Sequence, residues 1–143
     1  MAKVEDECGG ITRGVPVTSQ GRVLLGGPDS ELRRALGSAI RADGCDVVEV
    51  SDGVLLLGQV EFSLSALGPR PRLVVVMTDM WLTGLEVLGI LRRIYREIPV
   101  IFVTASGSAR IMVQARRLGA SGVFGAPVDL DVLQGAIREA MSR

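Results

Sequence analysis

The run Leu73-Val74-Val75-Val76-Met77 narrows the possible folds more than any other feature of this chain. It is too short for an amphipathic helix stripe or a membrane span, and it lacks the apolar/polar alternation of a half-exposed strand. Such a run reads as a strand covered on both faces, and that environment exists chiefly inside a parallel sheet flanked by helices. Shorter strand patterns lie at residues 22–25, 46–50, 100–103 and 122–125. Helical spacing separates them. Asp29 or Ser30 can cap a helix running to Ala42, with Leu32, Leu36 and Ile40 on one face. Residues 53–67 carry Val54, Leu57, Val60 and Leu64, although Gly58 weakens that helix. Leu85, Leu88 and Leu91 mark a helix over 84–95, and Gly119 closes another over 108–118. Leu130, Leu133 and Ile137 mark the last, over 129–141. Five strand–helix units in succession predict an α/β domain with a parallel sheet.

At 143 residues the chain is long enough for one domain and a short tail. Residues 1–20 contain Glu5, Asp6 and Glu7, the Gly9-Gly10 pair and Pro16, and lack an apolar core segment. They read as a disordered leader rather than a signal peptide, with residues 21–143 as the domain. Apolar residues make up 48%, charged residues 22%, and the formal net charge is zero. That balance argues against nucleic acid as a partner, and no run is long enough to span a membrane. Cys8 and Cys45 have neither metal nor disulfide-framework spacing, so free thiols in a reduced, cytoplasmic setting are expected. Histidine is absent, which removes the commonest general base and metal ligand together.

In an open parallel sheet, sites form beyond the C-terminal strand ends. That rule brings Gly26-Gly27-Pro28-Asp29, the segment from Met77 to Trp81, and Thr104-Ala105 together. From residue 22 to residue 141 the chain resembles a response-regulator receiver domain, and its second half resembles one most specifically. Ile98-Pro99-Val100-Ile101-Phe102-Val103-Thr104-Ala105 is similar to the family's fourth strand, which ends in the threonine that bonds a phosphoryl oxygen. Leu118-Gly119-Ala120-Ser121-Gly122 resembles its helix-to-strand turn, and Pro127-Val128-Asp129-Leu130 the start of its last helix. The resemblance implies a single doubly wound, flavodoxin-like (βα)5 domain with strand order 2-1-3-4-5.

The departures all concern chemistry. Where the family ends its first strand in two acids that hold Mg²⁺, this chain has Gly27 and Pro28, neither with a carboxylate to offer. Asp29 follows directly, but at the helix start, where an N-cap is its ordinary role. Ala126 stands where the family has a lysine, and Lys3 is the chain's lone lysine. The phosphoacceptor position is ambiguous. Counting from Pro71 puts it on Met77, whereas the word Thr78-Asp79-Met80-Trp81-Leu82-Thr83-Gly84 resembles the acceptor segment with Asp79 as the acid. The second alignment is favoured, with Asp79 at or near the pocket mouth. Thr104 survives. The aromatic that normally switches on the fifth strand is replaced by Val123, which is too short to swing between inward and outward positions.

The resemblance therefore implies a vestigial phosphorylation pocket made of Gly27, Pro28, Asp29, Asp79, Thr104 and Ala126, with Mg²⁺ binding lost or weak and no cofactor. The expected function is that of a pseudo-receiver, a non-enzymatic module that binds a protein partner, a second copy of the chain included, without phosphorylation. Its face would be the fourth helix, fifth strand and fifth helix, centred on Met112, Arg116 and Val123 and exposed to solvent. No arginine lies beside the pocket in sequence to replace the missing cation. Trp81 reads equally as a lid over the vacated pocket or as an interface anchor. Two alternatives remain open: a conventional phosphoacceptor using Asp79, and a small-molecule binder in the same crevice. The second lacks support from Gly26-Gly27-Pro28, which has neither the glycine spacing nor the Lys or Ser/Thr of a phosphate loop.

Overall fold

The computed structural model describes residues 21–28, 30–51, 53–65, 70–78, 82–104, 109–125 and 127–142. Strands and helices alternate through the chain. They are β1 (Arg22–Gly26), α1 (Glu31–Ala42), β2 (Asp46–Val50), α2 (Gly53–Ser65), β3 (Pro71–Thr78), α3 (Leu82–Ile94), β4 (Val100–Thr104), α4 (Ala109–Arg117), β5 (Gly122–Gly125) and α5 (Leu130–Met141). The five strands form one parallel sheet in the order β2-β1-β3-β4-β5, as expected.

The apolar run of β3 lies at the centre of this sheet, and its period of two divides the core. Leu73, Val75 and Met77 face one side, where they join Val23, Leu25, Ile101 and Val103 beneath α1 and α5. Val74 and Val76 face the other, with Leu24, Val100 and Phe102 beneath α2, α3 and α4. Leu73, Val74 and Val75 are fully buried. Alternate residues of one apolar run thus anchor two separate helical layers.

Local signals explain most element ends. Ser30, not Asp29, is the N-cap of α1: its backbone is extended and its Oγ accepts from the Arg33 amide at 3.1 Å. Asp29 itself lies outside the described residues. Gly44 and Gly119 take the left-handed conformations that close α1 and α4. Asp129 caps α5, accepting from the amides of Asp131 and Val132.

The inward face of α2 differs from the sequence reading. Leu56, Val60 and Ser63 are buried, Leu57 is only half-buried, and Leu55 and Phe62 are exposed. The side chains of Val54 and Leu64 lie outside the described set. The helix is apolar almost all the way round, so helical spacing had no polar face against which to fix its orientation.

At the far end of the sheet from the expected pocket, α5 is clasped to α1. Arg138 donates to both carboxylate oxygens of Asp43, at 2.8 and 2.9 Å, and Gln134 adds a bond at 3.1 Å. The Arg138 bond, followed by that from Gln134, holds the Asp43 carboxyl below its ordinary range. Cys45 lies beside this clasp, and burial pushes its thiol up, away from the reactive thiolate.

Gly58 and Gly135 sit inside α2 and α5 with open space where a Cβ would go. Each is expected to gain about 0.5–1 kcal/mol on replacement by alanine, because glycine loses more backbone freedom on helix formation. Urea unfolding of Gly58→Ala and Gly135→Ala should show raised midpoints with an unchanged slope.

Candidate functional site

The C-terminal strand ends meet as the sheet topology demands. Gly26 is level with Val50 on one side and Val76 on the other, and Gly27 continues the line by donating to the Val50 carbonyl at 3.1 Å. Across β3 and β4, Met77 is level with Val103 and Thr78 with Thr104, while Thr104 is level with Gly125. Gly27, Met77 and Thr104 therefore line one end of the sheet. Asp29, Asp79, Trp81 and Ala126 lie outside the described residues.

Gly27 packs backbone to backbone against β3. A Cβ at this position would lie 2.7 Å from both the Cβ and the carbonyl oxygen of Met77. Such contacts cannot be relieved by rotating a flexible side chain. The Met77 side chain turns into the core beneath α1 and α5 and is 8% exposed. Pro28 is exposed, and Thr104 is fully buried.

One charged group at this site was missed by the sequence reading. Arg33, in the first turn of α1, donates through Nη1 to the Gly27 carbonyl at 2.6 Å and to the Val50 carbonyl at 3.4 Å. Its Nε lies 3.3 Å from Glu49, which also pairs with Arg41 at 2.8 Å. An arginine reaches the end of β1 although none lies beside the pocket in sequence, because a helix places residues remote in sequence over the strand it follows. The signal was available: Arg33 lies one turn beyond the cap, in line with Glu49 of the neighbouring strand.

Receivers hold Mg²⁺ through carboxylates at the end of the first strand, and the described residues here do not fit that ion. Gly27 has no room for a side chain, its carbonyl is bonded to Arg33, and Pro28 supplies no acid. Among the described residues no three Asp, Glu or Cys side chains converge as a metal site would require.

The expected partner face is partly corrected. Arg116 is exposed on α4, as predicted, but Met112 is half-buried. Val123 is half-buried too and packs onto the core beneath α4. The short helix α4 rolls only Ala115 fully inward, so the residue three positions before it is drawn partly under.

The model of the response regulator receiver domain matches residues 28–138. The chain belongs to that family. It is 34% identical over 113 residues to the response regulator protein TodT of Pseudomonas putida, covering 79% of this chain and 48% of that protein. It is 29% identical over 129 residues to the C4-dicarboxylate transport transcriptional regulatory protein DctD of Pseudomonas aeruginosa, covering 88% of this chain and 26% of that one. The chain thus spans at most about half the length of these relatives. Among solved structures it resembles the receiver domain of NtrX from Brucella abortus, with TM-score 0.72, 22% identity, and 84% and 98% of the two chains covered. A CheY-like receiver domain protein from Methanospirillum hungatei gives TM-score 0.72 at 18% identity, with 85% and 94% covered. These structures bear on the fold alone. Among the described residues of this receiver domain, no helix is long and apolar enough to cross a membrane.

The close packing at Gly27 makes a direct prediction. Gly27→Asp should destabilise the domain by about 2 kcal/mol or more, because the new Cβ meets backbone rather than a movable side chain. Adding Met77→Ala should recover none of the loss, since alanine keeps both the Cβ and the carbonyl oxygen that the new side chain meets. Chemical denaturation of both variants measures this; a Gly27→Asp midpoint equal to wild type would contradict the packing described.

Proposed function

We propose that this receiver domain is a pseudo-receiver, a protein-interaction module that works without phosphorylation and has no enzymatic activity. The observation that carries the reading is the packing of Met77. A receiver's acceptor must present a carboxylate at the sheet's C-terminal end, beside acids and a lysine that neutralise the phosphoryl group. At that end of β3, Met77 is level with Gly27 and Val103 and points into the core. The neighbouring β1 end offers Gly27 and Pro28 instead of acids, and Ala126 stands in the lysine position. Aspartyl phosphate formed here would lack both metal and ammonium, so Mg²⁺ binding is weak or lost.

A second reading retains Asp79 as a working acceptor. It is favoured by the length of β3, which runs to Thr78 and so leaves Asp79 as the residue immediately beyond the strand. Arg33 could supply positive charge nearby, but its hydrogen bonds to Gly27 and Val50 and its pairing with Glu49 already engage it. A small-molecule function for the crevice finds no glycine-rich phosphate loop to support it.

Receiver domains act through contacts with other proteins, such as kinases and effector domains. In this one the output surface is proposed to be the α4–β5–α5 face around Met112, Arg116 and Val123, held in one state. A pocket with no differential affinity for two states cannot shift their populations. Val123, packed on the core beneath α4, is too short to relay a change at Thr104.

Incubation with a small phosphodonor and Mg²⁺, followed by intact-mass spectrometry, should yield no adduct, and beryllofluoride should leave the spectrum of Trp81 fluorescence unchanged. Stoichiometric, Mg²⁺-dependent phosphorylation of Asp79 would instead establish the second reading. For the face, Met112→Ala with Arg116→Glu should weaken partner capture by about 1–2 kcal/mol or more if these residues are hot spots. Circular dichroism must show the double variant folded, because Met112 is half-buried.

A further inference from the structure

The formal neutrality of the chain conceals a strongly basic edge. Between Val87 and Val128 the sequence holds Arg92, Arg93, Arg96, Arg110, Arg116 and Arg117 against a single acid, Glu97. Even that acid is engaged, 3.1 Å from Arg70. Arg93 and Arg117 are exposed and have no ion pair among the described residues. They stand on opposite rims of a groove of about 800 Å³ between α3 and α4. Its floor is apolar, formed by Leu85, Gly89, Ile90 and Leu118. Gly89 keeps the floor low: a Cβ there would touch only Leu118, at 3.8 Å. Leu118 is 40% exposed, although it ends a helix whose other contacts are with the core.

We propose that this α3–α4 groove is a docking site for an acidic amphipathic segment of a partner protein, a helix with apolar residues on one stripe and glutamates or aspartates flanking it. The apolar stripe would lie on Ile90, Gly89 and Leu118, and the flanking carboxylates would meet Arg93 and Arg117. This is the helix-in-groove mode with charge complementarity at the rims. A nucleic acid fits the groove less well. Its floor is apolar and no aromatic side chain lines it for base stacking, whereas Glu86, which also lines the groove, would oppose phosphates and carboxylates alike and does not distinguish them. Unpaired arginines flanking an apolar channel match an acidic protein helix on both counts. The site is separate from the α4–β5–α5 face and does not depend on whether Asp79 is phosphorylated.

The test uses the full chain and a fluorescently labelled helical peptide with a leucine stripe flanked by glutamates. The controls are the same peptide with glutamine for glutamate and a mixed-sequence DNA duplex. Fluorescence anisotropy should show saturable binding of the acidic peptide that weakens as salt rises, with little binding of the glutamine peptide. Arg93→Glu with Arg117→Glu should weaken binding by about tenfold or more, the effect of losing roughly 1.4 kcal/mol. Gly89→Phe, which fills the floor without touching a charge, should weaken it to a similar extent. Met112→Ala, which removes no charge and lies outside the groove lining, should bind the peptide like wild type, which separates this groove from the output face. Equal binding of acidic and glutamine peptides, tighter binding of DNA with the same arginine dependence, or indifference to both groove variants would each overturn the proposal.

Discussion

The two-sided burial of β3 is the constraint from which the rest of this domain follows. A strand with no polar face cannot lie at a sheet edge or beside water, so it requires a parallel neighbour on each side and a helical layer on each face. Leu73, Val75 and Met77 then fix α1 and α5, while Val74 and Val76 fix α2, α3 and α4. The same strand determines what its C-terminal end can do. Because the odd-numbered residues already serve the α1–α5 layer, continuing the alternation to Met77 extends the core to the C-terminal end of the sheet. Gly27 follows, because only a residue without a side chain can lie against the Met77 backbone.

This end of the sheet has polar structure of its own. Burying backbone carbonyls unpaired would be costly, and Arg33 answers part of that demand at Gly27 and Val50. Glu49 in turn receives both Arg33 and Arg41, so the guanidinium is held between carbonyls and a carboxylate at 13% side-chain exposure. Through these bonds Arg33 and Glu49 brace the β1–β2 end of the sheet.

The fold was legible because its signals were redundant. The strands rested on five apolar runs and their order on the resemblance to receivers, while helix ends rested on caps and glycines whose roles are local: Gly119 closed a helix where expected, Gly44 closed another, and Asp129 capped one. The failures came where a local pattern was degenerate. In α2 the apolar residues nearly encircle the helix, so spacing favoured Val54 and Leu57 where packing selected Leu56 and Ser63. Asp29 and Ser30 were equally good caps by type, and only the backbone path chose Ser30. Arg33 was missed because proximity in sequence was used as a proxy for proximity in space. The half-burial of Met112 was missed because a short helix with one fully buried residue has no sharp boundary between its faces.

Charge distribution shows the same limit of reading totals. A net charge of zero excluded a globally basic protein, but it could not reveal that acids and arginines are segregated along the chain. Once folded, α3 and α4 bring Arg93 and Arg117 to one groove, where neither has an ion pair among the described residues. Like charges held together on a surface cost stability, if only modestly because water screens them. The apolar floor between them, with Leu118 and Ile90 lining it, carries a similar small cost in exposed surface. Two independent costs falling on the same groove have a common physical remedy, which is a partner whose apolar stripe covers the floor and whose carboxylates neutralise the rims.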